Sequence, residues 1–515
     1  MEAIGPLGLT LIMTSLITCL TYTNVSEACP VECTCNADLV VCTNVSALPD
    51  LSNRSMVRKL IIRNHKIPSL RKGDFKGFTK LLQLEITNGT MTSLEAGAFD
   101  DVNETIEEMS LIHNQIEGLI AGVFVNIKNM RKLTLRHNRI NIIRTGTFVN
   151  LLRLNTLYLG WNKLQKLENN SFVGVPDLTT LYLVFNNLKV IPFNALQGCN
   201  NLTDLYLTTN DIASAQDGTT SVRLPSLEVL ELDNNPLLTV KSAFPNIGDR
   251  FVELNLGFSG IRTFDHTVWS NLGGLKRLVL NGIHVDHLVS GMFHGLTSLD
   301  TLLLMFMHDL ISIGPDAFSG LDSLRNIDLS HSEFLLVIEE TAFMSTKNLT
   351  HLYLNNCSLS YIPANLVAWS TLIGLNVTNN PIHCDCKNSW MLDDDIFGNN
   401  TYVKNEIQNL KCASPKKHRG QSIGSLKMQQ LCEAESSYFT TGVIIIVVCL
   451  VLVSIITYII KKRSHIYMWC HRYFMYRRYT NDMVFTVNRD NSIAELEDTV
   501  ETRPLAVMRL ETEPL

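Results

Sequence analysis

Aromatic side chains recur at one constant interval in the middle of the chain. Tyr158, Tyr182 and Tyr206 are evenly spaced, and Trp161 and Phe185 each follow one of these tyrosines at the same short distance. Basic residues come just before this series. Exposed aromatic rings beside bases favour protein binding, in which a few large side chains supply most of the affinity. The predicted ligand-binding residues are Lys132, Arg136, His137, Tyr158, Trp161, Tyr182, Phe185 and Tyr206.

Motifs for covalent chemistry are scarce in the sequence. It contains no phosphate-binding G-x-x-x-x-G-K-[S/T] loop, no H-E-x-x-H zinc helix and no kinase signature, and its one G-x-S-x-G match is residues 420–424. We therefore expect no enzymatic activity, no cofactor and no metal. The net charge of −6 also argues against nucleic acid as the main partner.

The aromatic series belongs to a longer repeat with the pattern L-x-L-x-x-N-x-L. Fourteen copies follow one another at a nearly constant interval of about two dozen residues. This period and pattern resemble those of leucine-rich repeat proteins. The resemblance implies an α/β repeat solenoid, a horseshoe with a parallel sheet on its concave face, over residues 57–380. The copies begin at Leu60, Leu84, Met109, Leu133, Leu157, Leu181, Leu205, Leu230, Leu254, Leu278, Leu302, Ile327, Leu352 and Leu375.

The spacing explains how such repeats would position the aromatic residues. In L-x-L both leucines point to one side of a strand, so the intervening residue faces outward on the concave face. Tyrosine is common directly after the first leucine of such repeats, so the three tyrosines alone are also compatible with an ordinary repeat. The asparagine is expected to satisfy backbone groups where the chain leaves the strand. A phenylalanine further along each repeat is expected to fill the convex side.

Eight cysteines lie in two clusters that flank the repeats. The first, C-x3-C-x-C-x6-C in residues 29–56, and the second, C-x-C with two later cysteines in residues 381–432, resemble the caps of extracellular leucine-rich repeat proteins. The resemblance implies disulfides Cys29–Cys35, Cys33–Cys42, Cys384–Cys412 and Cys386–Cys432. Spacing alone allows three pairings of four cysteines. A zinc site is the alternative for the first cluster, although no histidine lies within it.

Three further segments indicate a protein of the cell surface. Residues 1–23 include an apolar run typical of a signal peptide, without the usual basic residues before it. Residues 439–460 carry no charge, are long enough to cross a bilayer and are followed by Lys461, Lys462 and Arg463. We therefore expect one transmembrane helix, an extracellular N-terminus at the plasma membrane and a cytoplasmic tail, residues 461–515, that is largely disordered.

Glycosylation sequons agree with this orientation, because all of them precede residue 439. Sugars at Asn88, Asn356 and Asn376 would stand on the concave face near its two ends and leave its middle open. The predicted glycosylation sites are Asn44, Asn53, Asn88, Asn103, Asn169, Asn201, Asn348, Asn356, Asn376 and Asn399.

A second apolar group, Leu303, Met305 and Phe306, lies where the asparagine pattern fails. It indicates either decay of the repeat or a dimerisation patch. Residues 213–224 lack the convex phenylalanine and are predicted to form a bulging loop.

As a whole the chain resembles single-pass leucine-rich repeat receptors, including Toll-like and adhesion types, but without a Toll-type signalling domain. The resemblance implies a receptor or adhesion protein that binds an extracellular or membrane protein through its concave face. The alternative is an accessory or decoy chain that pairs laterally with a signalling receptor, as part of a homodimer or heterodimer.

Overall fold

The computed structural model describes residues 29–214, 222–240, 247–264, 268–432, 436–461 and Tyr473. The chain divides into two units, Met1–Cys432 and Glu433–Leu515. The predicted signal peptide lies outside the described residues, as do most of the predicted tail, Phe244 and residues 215–221 of the predicted loop.

One sheet of sixteen strands organises the first unit. β1 and β2 form an antiparallel hairpin, and every later strand pairs in parallel with the one before it. The strands are β1 Cys33–Asn36, β2 Leu39–Thr43, β3 Lys59–Arg63, β4 Gln83–Thr87, β5 Glu108–Ser110, β6 Lys132–Thr134, β7 Thr156–Tyr158, β8 Thr180–Tyr182, β9 Asp204–Tyr206, β10 Val229–Glu231, β11 Glu253–Asn255, β12 Arg277–Val279, β13 Thr301–Leu303, β14 Asn326–Asp328, β15 His351–Tyr353 and β16 Gly374–Asn376.

The register of this sheet confirms the repeat. The first leucine of each copy pairs with the first leucine of the next, as Leu133 does with Leu157 and Leu157 with Leu181. All fourteen predicted starting residues occupy this place in β3 to β16, so about thirteen turns separate the first from the last. These side chains are buried, which confirms the predicted solenoid with a parallel sheet.

Stacked phenylalanines fill the convex side, as the sequence predicts. The rings of Phe75, Phe99, Phe124, Phe148 and Phe172 follow one another at centroid distances of 5.4 to 5.8 Å. Outside the main sheet the first unit also contains short strands and 3-10 turns. The strands are Ser69–Leu70, Ser93–Leu94, Phe124–Val125, Ile142–Ile143, Phe148–Val149, Lys166–Leu167, Thr239–Val240, Thr263–Phe264, His287–Leu288, Ser312–Ile313 and Val337–Ile338. The 3-10 turns are Arg54–Met56, Asp100–Val102, Phe193–Leu196, Trp369–Thr371, Cys386–Leu392, Lys416–His418 and Ile423–Ser425.

A ladder of buried asparagines joins consecutive repeats. The amide of Asn162 donates to the carbonyls of Leu159 and Leu135, both at 3.0 Å. Its Oδ1 accepts from the backbone N–H of Ile140 at 3.0 Å. One side chain therefore satisfies backbone groups in two repeats, which confirms the predicted role. The same bonding to the carbonyls of two repeats recurs at Asn114, Asn138, Asn186, Asn210 and Asn235.

In the first repeat a histidine takes the place of the ladder asparagine, and its side chain reaches into the second repeat. His65 is 2% exposed and takes the asparagine place of the first repeat, whereas the second repeat has Gly89 there. The imidazole fills the space above Gly89, because a Cβ at Gly89 would overlap it. Its Nδ1 accepts from Ile67 N–H at 3.2 Å, and the side chain of Asn114 lies on its other side. The ring must be neutral at Nδ1 to make this bond.

We expect this histidine to make stability depend on pH. Burial lowers the pKa of His65, and the opposing effect of Asn114 is smaller. Its contribution is therefore complete above the unfolded-state pKa of about 6.5 and is lost as the pH falls below it. Replacing His65 and Gly89 together by Asn rebuilds the ordinary ladder, so the fall in melting temperature between pH 7.5 and 5.5 should become smaller. His294→Asn, an exposed control, should leave that fall unchanged, and an unchanged fall in the double variant would contradict the assignment.

Four disulfides close the two ends of the solenoid. They are Cys29–Cys35, Cys33–Cys42, Cys384–Cys412 and Cys386–Cys432, the pairs implied by the resemblance. The C-terminal cap also contains three short helices, α1 Asp394–Phe397, α2 Thr401–Gln408 and α3 Met428–Cys432. Trp390 of the cap stacks on Trp369 of the last turns at 5.0 Å, so the cap covers the apolar end of the repeats.

The second unit contains helix α4, Ser436–Lys461. Among the described residues, however, no helix combines the length and the apolar character needed to cross a membrane. The structure therefore does not confirm the predicted span at 439–460, which stays a prediction.

Candidate functional site

The three predicted tyrosines form a stack on the concave face. Adjacent strands β7, β8 and β9 place Tyr158, Tyr182 and Tyr206 in register, with ring centroids 4.5 and 4.4 Å apart. Burial raises the pKa of Tyr206 to about 12, and Tyr182 and Asp204 add to this effect. The phenol is therefore neutral at physiological pH and available as both donor and acceptor. We call this row the tyrosine ladder.

A second row of rings runs beside the first, slightly further along each repeat. His113, His137, Trp161 and Phe185 stack with centroid distances of 4.2, 5.0 and 3.8 Å. Trp161 is 40% and Phe185 38% exposed. Three of these residues are among the predicted ones, whereas His113 was missed, although it stands one repeat before His137. We call this row the edge ladder.

The backbone of the edge ladder has the left-handed conformation. The φ angles of His113, His137, Trp161 and Phe185 lie between 53° and 57°. Other repeats have asparagine in this place, including Asn64, Asn88, Asn234, Asn356 and Asn379. A left-handed conformation is tolerated by asparagine but costs a bulky residue about 1 kcal/mol or more. The edge ladder thus places large rings on an exposed edge, at positions where asparagine would cause less backbone strain.

A polar hollow of about 480 Å³ adjoins the histidine end of the edge ladder. Arg136 faces it, together with His113, His137 and Ser110. Glu85 also lines the hollow, but it pairs with Arg63 at 3.1 Å, and no ion pair to Arg136 forms within the described parts of the chain. Burial lowers the pKa of His137, and His113 and Arg136 lower it further. The hollow therefore offers an uncompensated positive charge to a ligand.

Lys132 adds to the positive charge at this end of the site. Its ammonium lies 5.3 Å from the centroid of the Tyr158 ring, a cation–π contact with the first member of the tyrosine ladder. The structure thus brings all eight predicted binding residues onto one face, over β6 to β9.

Three carboxylates lie at the other end of the two ladders. Asp204, Glu231 and Asp233 come from β9, β10 and the turn that follows β10. Asp233 accepts from Thr208 Oγ1 at 2.7 Å, and Glu231 accepts from the amide of Asn255. Burial raises the pKa of Glu231, with contributions from Asp233 and Glu253. Across the described ranges none of the three carboxylates forms an ion pair with a Lys or Arg.

Three more residues with rings lie in the same row of later repeats, beyond the edge ladder. Phe258, Phe306 and His331 also have positive φ angles, and their rings approach one another at 6.2 and 5.0 Å. Gly282 separates the two phenylalanines, and a Cβ there would come within 2.6 Å of the Phe258 ring. Of the second predicted patch, Phe306 belongs to this row, and Leu303 and Met305 lie half-buried beside it.

Further exposed apolar residues follow in the repeats of Phe306 and His331. Ile311 is 43%, Phe334 59%, Leu336 52% and Val337 46% exposed. They come from two repeats of 25 residues, one more than the 24 residues of the repeats that carry Trp161 and Phe185. In one of them the extra residue, Phe334, stands outside the core while Leu335 fills it. We call these four residues the apolar flank.

Elsewhere the described residues offer little for catalysis. They contain no group of three or more His, Cys, Asp or Glu side chains that could hold a metal ion. The free cysteines of the solenoid are buried, and burial raises the pKa of Cys199 to about 12 and that of Cys357 to about 11. Their thiols are therefore poor nucleophiles.

These features define a capped solenoid whose concave side carries a candidate binding face made of stacked rings. A leucine-rich repeat family model matches residues 104–164, 128–188, 152–212, 176–237 and 308–359. Residues 104–237 and 308–359 of the chain are therefore leucine-rich repeats of this family.

Individual proteins also resemble the chain. The CD180 antigen of Mus musculus is 27% identical over 253 residues, which cover 47% of this chain and 37% of the relative. The CD180 antigen of Homo sapiens is 27% identical over 213 residues, covering 40% of this chain and 31% of the relative. The matched part thus spans about a third of the length of these relatives.

Solved structures share the fold. A chain of the Toll–Spatzle complex of Drosophila superposes with a TM-score of 0.58 at 21% identity, covering 76% of this chain and 54% of that one. The TLR13–ssRNA13 complex gives a TM-score of 0.54 at 22% identity, covering 72% and 50%. At these identities the likeness concerns the architecture of the repeats only.

Proposed function

We propose that this chain is a cell-surface receptor or adhesion protein that binds a protein ligand through its concave face. The observation that carries the proposal is the edge ladder, in which four large rings keep a strained backbone on an exposed surface. Strained conformations persist where function requires them. Stacked, pre-ordered aromatic rings lose little conformational entropy on binding and supply large contact areas.

Several features support a place at the cell surface. Four disulfides suit an oxidising compartment. The sequons precede the apolar segment 439–460, and Lys461, Lys462 and Arg463 follow it. We propose a single membrane crossing there, with residues 29–432 outside and the tail in the cytoplasm. The comparison with Toll, which is solved in complex with Spatzle, is consistent with a protein ligand.

The proposed glycans are compatible with this site. Asn88 and Asn356 occupy the row of the edge ladder, one before His113 and the other after His331. A sugar on Asn356 would lie beyond the aromatic rows, and one on Asn88 would stand at the edge of the hollow beside Arg136, which Asn88 lines; both would leave Trp161 and Phe185 accessible. The ligand would then approach between them.

A screen of the chain displayed on cells against secreted and cell-surface proteins tests the proposal. We expect at least one specific protein ligand whose binding requires Trp161 and Phe185. A ligand that binds equally well when both rings are removed would place the site elsewhere.

The apolar flank supports a second candidate function, lateral pairing with another receptor chain. We expect Phe334→Asp with Leu336→Asp to reduce cross-linking between neighbouring chains on cells, because charges would enter an apolar contact. The matched control is Met344→Asp, since Met344 is 68% exposed but lies outside the flank. Equal cross-linking in the wild type and the flank variant would leave this candidate without support.

A further inference from the structure

A strip of small residues separates the two ladders, and we call this strip the trough. Gly160, Val184 and Thr208 occupy the place between the tyrosine and the edge-ladder residue in three successive repeats. Their carbonyls accept from the N–H groups of His137, Trp161 and Phe185, which stacks this row in register. A Cβ on Gly160 would lie 2.8 Å from Val184 Cγ2, so the trough is closely packed.

Opposite charges close the two ends of the trough. Arg136 precedes Gly160 in the row, and Asp233 follows Thr208, to which it is hydrogen bonded at 2.7 Å. Glu231 and Asp204 strengthen the acidic end, and the hollow beside Arg136 leaves space at the basic end. From its Arg136 end to its Asp233 end, the trough is therefore first basic, then apolar between the aromatic rings of the two ladders, and finally acidic.

The length of the trough fits a short extended peptide. Arg136 follows β6 and Asp233 follows β10, four strand spacings away. At about 4.8 Å per spacing this is roughly 19 Å, the length of about six extended residues. The strands of the trough are already paired on both sides, so such a peptide would be held by side chains and not by added strand pairing.

We propose that the trough binds an extended segment of a protein ligand, with an acidic residue at Arg136, apolar residues over Gly160 to Thr208 and a basic residue at Asp233. This inference rests on the proposed function and specifies the chemistry of its ligand. A polyanion such as a sulfated glycan fits less well, because its far end would meet Asp204, Glu231 and Asp233. Charge complementarity of this kind sets the orientation and the specificity of a partner.

Selection of phage-displayed random dodecapeptides on the purified full-length chain tests this inference. On the wild-type chain we expect peptides with an acidic and a basic residue separated by apolar residues. On Arg136→Glu both ends are acidic, so the selected peptides should carry bases at both ends. On Asp233→Arg the acidic end loses its nearest carboxylate and gains a base, so the basic residue of the peptides should no longer be enriched at that end. The control Arg153→Glu changes a base outside the trough and should select the wild-type pattern.

Affinities of single peptides complete the test. A peptide selected on the wild type should bind about tenfold or more weakly to Arg136→Glu, because like charges then face each other. The same charge pattern on all four chains would overturn the inference. If these unselective peptides still required Trp161 and Phe185, the proposed concave site would stand; if they did not, the proposed function would fail as well.

Discussion

Replacing Trp161 and Phe185 together by Asn should weaken binding of a protein ligand by about 2 kcal/mol or more, roughly 30-fold, with little change in stability. Both rings are exposed and stack at 3.8 Å, so a ligand meets them as one surface. Asn relieves about 1 kcal/mol of backbone strain at each position, and the lost stacking costs about 0.5 to 1.5 kcal/mol per pair. The effects on folding therefore nearly cancel, whereas the effect on binding does not.

Thr209→Asn is the matched control for this double variant. Thr209 occupies the same row with φ 55°, so it offers the same relief of strain without the loss of a ring. Surface plasmon resonance with the ligand found in the screen should show unchanged affinity for this control. Equal losses in the control and the double variant would show that the backbone, and not the rings, matters for binding.

Removing one asparagine of the buried ladder should have the largest effect on stability. Asn162→Ala leaves the carbonyls of Leu135 and Leu159 and the N–H of Ile140 without this partner. The two carbonyls each keep one donor, from Asn138 and Asn186, whereas Ile140 N–H loses its acceptor, so we expect a loss of about 1 to 3 kcal/mol. The thermal unfolding midpoint should fall, and hydrogen exchange should quicken first in the repeats on either side of residue 162.

A nearby exposed residue provides the control for this prediction. Asn187 is exposed and its side chain bonds to that of Asp211, at 3.2 Å, in the next repeat. Asn187→Ala should change stability by no more than about 0.5 kcal/mol. If both substitutions destabilised the chain equally, the ladder would not be what holds the repeats together.

The sequence predicts the repeats well because their physics is periodic. A strand needs two leucines on one side, and each turn needs a partner for its backbone, so Leu157, Leu159 and Asn162 reveal their places by spacing alone. The cysteine clusters are equally informative, because a solenoid must cover its apolar ends. The aromatic residues of the candidate site could be predicted from the same register of the repeats.

Features that depend on three-dimensional neighbours could not be predicted. His65 fills the space of Gly89 one repeat away, and nothing in either residue alone indicates this. The backbone strain of the edge ladder could not be predicted either, since neither histidine nor phenylalanine by itself indicates a positive φ. A signal existed in Asn64 and Asn234, because asparagine in the same place of other repeats indicates a left-handed backbone. His113 could have been added from its register with His137.

Cross-linking mass spectrometry of the complex with its protein ligand tests the central claim most directly. A concave-face site predicts cross-links from Lys132 and other residues of β6 to β10, with the convex phenylalanine side unmodified. Cross-links confined to the apolar flank or to the convex side would contradict it.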